Sequence, residues 1–343
     1  MNILAIETSC DETSAAVVKD GPSTSLGASP EVLSNVVASQ VEFHKKYGGI
    51  VPEIASRKHI EVINPIIKEA LDQANITFKN VNAVAVTYGP GLVGSLLVGI
   101  CAAKAIAWSL GVPLIGVNHL EGHIYANFLK SKLQNPKFPF ICLIVSGGHT
   151  SLVLVKDHGK YKTLGRTRDD AAGEAYDKVA RFLNLGYPGG PIIDQLAKEG
   201  NPHAIEFKRP MLEEEFGYDF SFSGIKTAVV NCVNKLQETA PINRGRFLAD
   251  LVSSFQQAVV DVLVEKSIRA AKEHDCKTVA LAGGVSANSL LRKQLTEQCL
   301  ANHLTTQIPS LEYCTDNAAM IGCAAYHKKA SDLKLSPVAN AKI

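Results

Sequence analysis

The chain has 343 residues, a formal net charge of +2, 46% hydrophobic residues and 20% charged ones. That is an ordinary globular composition with enough length for two hydrophobic cores, so two domains are expected, and a nucleic-acid partner would need a local basic patch. The cysteines Cys10, Cys101, Cys142, Cys232, Cys276, Cys299, Cys314 and Cys323 form no C-x-x-C pair, so no structural zinc site is implied and reduced thiols in a cytosolic protein are expected.

Met1-Asn2-Ile3-Leu4 runs straight into a strand with neither a basic leader nor an Arg-rich amphipathic one. The most apolar helical stretch carries Lys104. A cytoplasmic protein with no membrane association is expected. Ile3 to Ile6 reads as a buried strand, Glu7 to Glu12 as a polar turn and Ser14 to Val18 as a returning strand, making a hairpin with an acidic tip. A Gly/Pro/Ser-rich loop begins near Asp20-Gly21, Val32 to Val37 makes a third strand, and a helix from about Val51 to Ala74 contains Pro65, which predicts a bend. Strand Val81 to Thr87, the turn Tyr88-Gly89-Pro90-Gly91 and a helix to about Leu110 follow.

The apolar run Val112 to Val117 then leads into Asn118-His119-Leu120-Glu121-Gly122-His123. Asn118 is a good N-cap, so the two histidines should sit in the first turns of a helix, four apart on one face. That geometry suits a divalent metal. It also suits histidines that line a cleft, with Glu121 closing a capping-box-like turn onto Asn118. Two nitrogens under-coordinate an ion, so a third ligand must come from elsewhere. The spacing is not that of the zincin motif, in which glutamate directly follows the first histidine.

The second half repeats the first in residues as well as pattern. Ile141 to Val153 parallels Leu4 to Val17, with Thr150-Ser151 matching Thr13-Ser14, and Val279 to Ser286 parallels Val84 to Gly91. Two copies of one β-β-β-α-β-α-β-α fold are indicated: a lobe of residues 1–135 and a lobe of residues 136–343. The second is longer by roughly fifty to sixty residues, which places a helical insertion at about 168–237. In the second copy a strand near Thr305 to Ile308 precedes Tyr313-Cys314-Thr315-Asp316-Asn317 at the start of the last helix, so Asp316 stands where His119 stands. If the copies face each other, strand ends from both meet in one cleft and a His119, His123, Asp316 metal site results.

Three glycine turns belong to the second half: Ser146-Gly147-Gly148-His149, Gly189-Gly190 after Pro188, and Gly283-Gly284. Glycine lets a backbone approach a phosphate and aim N–H groups at it. With Asp177, Asp194 and Asn288 beside them, they point to a nucleotide site. None fits the G-x-G-x-x-G or P-loop pattern, so a Rossmann or Walker reading is unsupported. His44-Lys45-Lys46-Tyr47 and Arg57-Lys58-His59 form the densest basic cluster of the first half, which composition alone reads as a solvated helix face; a polyanionic substrate, as the resemblance described next implies, makes Lys45, Lys46, Arg57 and Lys58 the candidate phosphate contacts of an RNA.

Duplicated halves with an acidic first hairpin and a glycine-rich second one look like the α/β actin/hexokinase/Hsp70 (ASKHA) superfold, two lobes with a central cleft. Within it the chain resembles the TsaD family of tRNA threonylcarbamoyladenosine transferases, once misnamed O-sialoglycoprotein endopeptidases. The resemblance is carried by AIETSCDETS (Ala5 to Ser14), GGIVPEIASRKH (Gly48 to His59), YGPGLVGSLLVG (Tyr88 to Gly99), NHLEGH and VSGGHT. It continues through DDAAGEAYDKVAR (Asp169 to Arg181), YPGGP (Tyr187 to Pro191), FSFSGIKTAV (Phe220 to Val229), GGVSAN and CTDNAAMIG (Cys314 to Gly322).

The resemblance implies transfer of a threonylcarbamoyl group from threonylcarbamoyl-adenylate to the exocyclic amine of the adenosine 3′ of the anticodon, in tRNAs reading codons that begin with A. It implies one divalent metal, iron or zinc, on His119, His123 and Asp316, and adenylate contacts from Ile144, Val145, Ser146, Gly147, Gly148, Asp177, Gly190, Asp194 and Asn288. Archaeal and eukaryotic members carry Tyr and Asn where this chain has Ile144 and His149; the Tyr is a metal ligand there, so a bacterial type with more open metal positions is implied. Bacterial relatives work with TsaB and TsaE and receive the intermediate from TsaC. Asp11 or Glu12 is the candidate catalytic base for the amine proton. Three competing readings are weaker. A small-molecule kinase needs no imidazole-held metal, a nucleotide-dependent scaffold needs no acidic tip, and a metallopeptidase needs a glutamate that Glu121 is mis-spaced to supply.

Overall fold

The computed structural model describes residues 1–21, 30–129, 136–237 and 244–343, and its chain divides into two compact units. The Gly/Pro/Ser-rich loop falls, for residues 22–29, outside the described residues, as does residue 135 at the expected lobe boundary. One unit comprises Met1–Pro136 with Pro309–Ile343, and the other Lys137–Ile308.

In the first unit, β1 (Asn2–Glu7), β2 (Glu12–Lys19), β3 (Glu31–Ser39), β4 (Ala83–Gly89) and β5 (Leu114–Asn118) form a sheet of order β3-β2-β1-β4-β5. β1 runs antiparallel to β2 and parallel to β4, with Ile6 opposite Ala15 on one side and Val86 on the other. These strands are apolar almost throughout, as strands covered on both faces must be. A short α1 (Val41–Lys45), not expected from the sequence, precedes α2 (Pro52–Gln73). Proline is tolerated at the first position of α2 because its missing N–H has no helical acceptor there. α2 turns Ile63, Ile66, Ile67, Ala70 and Leu71 onto the sheet, where α3 (Val93–Leu110) adds Leu96, Ile100, Ala103 and Ala107.

α4 (His119–Tyr125) follows β5 directly. The last helix, α10 (Ala318–Ala325), corrects the sequence-based partition, because it packs on the sheet of the first unit and not with the second half. The reason is local. The Ser14 hydroxyl on β2 accepts from the Ala318 N–H at 2.9 Å, and the Asn35 side chain on β3 accepts from the Ala319 N–H at 3.2 Å, so the orphan donors of the helix start find partners on this sheet. Gly322 then lets the helix approach closely, since a Cβ there would stand 2.6 Å from Val18 Cγ2.

The second unit repeats the sheet. β6 (Phe140–Val145), β7 (Thr150–Asp157), β8 (Lys160–Arg166), β9 (Thr278–Ala282) and β10 (Thr305–Gln307) take the order β10-β9-β6-β7-β8. β6 is antiparallel to β7 and parallel to β9, as β1 is to β2 and β4, so the duplication read from residues is one of topology. α5 (Ala172–Phe182), α6 (Gly189–Ala197) and α7 (Ser223–Gln237) lie within the span assigned to an insertion. Asp169 starts α7 by accepting from the Phe222 N–H at 2.8 Å and the Ser223 hydroxyl at 2.6 Å. α8 (Arg244–Glu273) runs through the core of this unit, and α9 (Ser289–Ala301) follows β9.

α3 and α8 are both long and apolar enough to cross a membrane by composition. α8 owes this to its core position, its most apolar window being 78% buried. All eight cysteines are free thiols; five are buried, as expected, whereas Cys101 is exposed.

Candidate active site

The chemistry of the first unit gathers where β5 gives way to α4. Asn118 caps that helix: its Oδ1 accepts from the Leu120 N–H at 2.9 Å and the Glu121 N–H at 3.4 Å. Glu121 does not close a capping box, because its carboxylate pairs with Lys328 at 2.6 Å. Capping fixes the first turn, which sets the His119 and His123 rings 4.6 Å apart at 77°. Asp316 Oδ1 lies 3.4 Å from His119 Nε2 and 3.2 Å from His123 Nε2. One ligand atom from each of the three falls within 4.8 Å of the others. Asp316 reaches this place in a different register from the one expected. The caps Asn118 and Asn317 correspond, so Asp316 precedes its cap whereas His119 follows its own.

The donor set fits a divalent ion. His123 is fully buried, its Nδ1 is without a hydrogen-bond partner, and its Nε2 lies 3.2 Å from Asp316 Oδ1. An orphaned imidazole in a dry site is costly unless a cation takes its lone pair. His119 is held from behind. Its Nδ1 lies 3.1 Å from Glu7 Oε2 and 3.1 Å from the Ser9 hydroxyl, which leaves Nε2 to face Asp316 and His123. Burial opposes charge on His119, but the Asp316 and Glu7 carboxylates outweigh it and raise its pKa to about 9. The pocket therefore favours positive charge, whether a proton or a cation supplies it. Burial keeps His123 below the usual imidazole range.

Glu7 was not singled out from the sequence. It is completely buried at the end of β1 and accepts from the Thr87 hydroxyl at 2.6 Å as well as facing His119. Burial pushes its pKa up, yet His119 more than compensates and the carboxylate is held below its ordinary value. A carboxylate behind a ligating histidine sets the tautomer and orientation of the ring. The available signal was an acidic residue ending an otherwise apolar strand.

Asp11 and Glu12 stand at the same hairpin tip. Asp11 is buried, its carbonyl accepting from the Gln40 N–H at 3.0 Å, and Glu12 accepts from the Ser39 hydroxyl at 3.2 Å. Burial and then the charges of Asp11 and Asp316 push the Glu12 carboxyl well above the usual range. Burial and the same carboxylates also raise the Cys10 thiol. His59 pins this tip, its Nδ1 2.7 Å from the Thr13 hydroxyl and its Nε2 3.0 Å from the Cys10 carbonyl.

The basic cluster is thinner than its sequence suggests. His44 and His59 are fully buried and bonded internally, so they contribute no cationic surface. Lys45 lies 3.8 Å from Glu42, Arg57 2.7 Å from Glu53 and Lys58 2.6 Å from Glu61. Lys58 also sits 4.5 Å over the Phe43 ring, while Lys46 is exposed beside them.

In the second unit the glycine turns cluster where β6 and β9 end. These strands are neighbours in register, Ile144 opposite Ala282, so Ser146-Gly147-Gly148 and Gly283-Gly284 leave the sheet side by side. Ile144 and Val145 are buried strand residues. The Ser146 N–H donates to the His149 carbonyl at 2.8 Å, and the Gly173 N–H at the start of α5 donates to the Ser146 carbonyl at 3.2 Å. Side chains added at Gly147, Gly148, Gly190 or Gly284 would meet nothing within 4 Å, whereas at Gly189 one would lie 2.5 Å from Ala180 Cβ. Open and packed glycines are thus separable: Gly189 allows α6 to approach α5, and Gly190 faces free space. Gly283, with φ +87, both turns the chain and lies against Val145.

The polar residues beside these turns have internal duties. Asp177 accepts from the Gly189 N–H at 2.7 Å, and Asp194 from the Ser289 hydroxyl at 2.9 Å. Asn288 caps α9 through Leu291 N–H at 2.9 Å while its amide donates to Gln256 at 2.8 Å. They order the rim of the cradle.

The repeated sheet, with helices between its strands in each copy, defines a duplicated ASKHA-type α/β protein. Among solved structures the chain is similar to HypF of T. kodakarensis, with a TM-score of 0.60 at 15% identity over 94% of this chain and 47% of that one. It is likewise similar to full-length HypF in a phosphate- and nucleotide-bound form, with a TM-score of 0.59 at 13% identity over 95% and 55% of the two chains. The chain spans about half the length of these proteins, and the likeness is one of fold. The chain belongs to the TsaD family of tRNA N6-adenosine threonylcarbamoyltransferases, whose family model matches residues 31–323. It is 55% identical over 344 residues to the tRNA N6-adenosine threonylcarbamoyltransferase of Clostridioides difficile strain 630, covering 99% of this chain and 98% of that one. To the protein of the same description from Clostridium botulinum strain 657 it is 54% identical over 348 residues, covering 100% and 98%.

Proposed function

We propose that this tRNA-modifying transferase moves a threonylcarbamoyl group from threonylcarbamoyl-adenylate to N6 of the adenosine 3′ of the anticodon, in tRNAs that read codons beginning with A. The observation that carries the site-level reading is the convergence of His119, His123 and Asp316 beside the carboxylates Asp11 and Glu12. In this reading His119, His123 and Asp316 hold one iron or zinc ion, with Glu7 and Ser9 orienting His119. When bound, the ion supplies Lewis acidity toward an oxygen of the acyl donor.

The remaining work falls to the chain itself. An adenine amine is a weak nucleophile because its lone pair is delocalised into the ring, so the donor must arrive activated. The new bond joins N6 to the carbamoyl carbon, the bond from that carbon to the phosphate oxygen breaks, and AMP departs. The amine proton goes to Asp11 or Glu12; a carboxyl such as Glu12, whose pKa burial raises well above the usual range, is suited to hold it. Backbone N–H groups of the turns at Gly147, Gly148, Gly190 and Gly284 receive the adenylate phosphate, and the openness of these positions supports that role. Asp177, Asp194 and Asn288 shape the edge of this site and supply its polar contacts to the nucleoside.

tRNA phosphates meet Lys45, Lys46, Arg57 and Lys58, and the protein works in the cytoplasm. TsaB and TsaE act with it, and TsaC supplies the adenylate. Support for a protein partner comes from α3, where Val93, Leu97 and Trp108 are 52%, 48% and 77% exposed along one helical stripe. Reconstitution tests the reading: purified protein, partners, tRNA and threonylcarbamoyl-adenylate should yield threonylcarbamoyladenosine. Asp11→Asn with Glu12→Gln should lower the rate by a factor on the order of 10² or more. Product formation at the parental rate by that double variant would remove both carboxylates from the chemistry.

A further inference from the structure

Beyond α10, residues 331–342 run along the open edge of the first unit's sheet and across the ends of β4 and β5. The Ser331 N–H donates to the Leu114 carbonyl at 2.7 Å and its hydroxyl accepts from the Gly116 N–H at 2.9 Å, so this residue occupies hydrogen-bonding positions that edge strand β5 would otherwise leave to water. Leu335 follows, so close to Gly116 that a Cβ there would come within 2.9 Å of it. The Val338 N–H then donates to the Tyr88 carbonyl at 2.9 Å, and the Ala339 carbonyl accepts from the Gly91 N–H at 3.1 Å. Gly89, with φ +152, must be glycine for a second reason as well: a Cβ would lie 2.0 Å from the Val338 carbonyl oxygen. Finally the Lys342 carbonyl accepts from the Asn118 amide at 3.2 Å.

Two of these contacts lead directly to His119. Asn118 offers its other side-chain atom to the first N–H groups of α4, so a partner that fixes the amide group also fixes the cap. The Tyr88 to Gly91 turn leads into Leu92, whose N–H donates to the Ser9 carbonyl at 2.8 Å, and the Ser9 hydroxyl lies 3.1 Å from His119 Nδ1. We infer that residues 331–342 are a clasp that positions the first turn of α4, and with it His119 and His123, from behind. The segment touches neither histidine; it acts through Asn118 and Ser9. Its own hold is limited, since Val338 is 45% exposed and, apart from the two bonds of Ser331 and the packing of Leu335, each link is one hydrogen bond, so its loss should loosen the site without unfolding the unit.

This inference rests on the metal reading for its consequence but not for its geometry, and the test separates the two. Val338→Pro deletes the N–H that binds Tyr88 while leaving the rest of the chain intact, and a chain ending at residue 330 removes the clasp outright. Both are compared with the parent by hydrogen exchange of peptides spanning residues 118–126, and by the rate at which a chelator withdraws bound zinc. The expected result is exchange of the Leu120 and Glu121 amides at least about tenfold faster, with zinc release faster by about 10- to 100-fold. Unchanged exchange in 118–126, with the parental circular dichroism retained, would overturn the clasp. Faster exchange with unchanged zinc release would overturn its link to the histidines. A parent that binds no zinc, iron or cobalt would refute the metal reading, and exchange alone would then decide the clasp. If the shortened chain fails to fold, Val338→Pro decides by the same two measurements.

Discussion

Replacing Gly148 by valine separates a ligand effect from a folding effect. A Cβ built at Gly148 meets nothing within 4 Å, the residue is exposed, and its φ lies outside the left-handed region. The fold should accept the change within about 0.5 kcal/mol, as for surface substitutions generally. The isopropyl group would occupy the space in which a phosphate must approach the backbone N–H groups. Losing one hydrogen bond to a charged group costs about 1.5–3 kcal/mol. Taking about 2 kcal/mol, adenine-nucleotide affinity should fall about thirtyfold. Calorimetric titration with AMP or a stable adenylate analogue measures this, with thermal melting alongside. Gly173→Val is the opposing control, because its Cβ would stand 2.6 Å from the Ser146 carbonyl and should lower the melting temperature. Parental affinity in folded Gly148→Val would place the phosphate elsewhere.

His119→Ala and Asp316→Ala should each lose stoichiometric metal while remaining folded, and Glu7→Gln should weaken metal binding by about 10- to 100-fold; elemental analysis showing full occupancy in both alanine variants would disprove the site. Charge reversal at Lys45, Lys46 and Lys58 together should weaken tRNA binding and reduce the slope of log affinity against log salt by roughly two to three, leaving metal and nucleotide binding intact. Equal tRNA affinity across a salt series would move the RNA to another face. Lys266, wholly buried in α8, donates to the Gly217 and Asp219 carbonyls at 2.9 and 2.6 Å, and burial pulls its pKa from 10.5 down to about 8. Between those values the folded chain has released the proton while the unfolded chain still holds it, so this site's contribution to stability rises with pH. The melting temperature of the parent should therefore gain on that of Lys266→Met between pH 8 and 10, and a constant gap would contradict the shift.

What could be read from the sequence was local or repeated. Asn118 announces the start of α4, and α4 brings His119 and His123 to one side with no help from the rest of the chain. The duplication was legible because the same strand and turn residues recur. The grouping of Asp316 with the two histidines was legible, but neither its unit nor its register was, because both depend on Ser14 and Asn35 receiving the start of α10. The greater length of the second copy pointed to helices in the span where α5, α6 and α7 lie, whereas the bond network of Asp169 that starts α7 joins residues over fifty positions apart. Glu7 was hidden for a related reason: only the folded sheet shows that a carboxylate at the end of β1 stands behind His119. The basic cluster misled in the other direction. Its i,i+3 and i,i+4 acidic partners Glu42, Glu53 and Glu61 are visible in the sequence, but the burial of His44 and His59 is not.

Transfer to tRNA is tested most directly by mass spectrometry of nucleosides from tRNA of cells depleted of this protein. Threonylcarbamoyladenosine should fall as the protein is lost, with unmodified adenosine rising at the position 3′ of the anticodon, and return when the parent is restored but not when His119→Ala or Asp316→Ala is. Threonylcarbamoyladenosine that stays at its normal level through full depletion would contradict the transferase function itself.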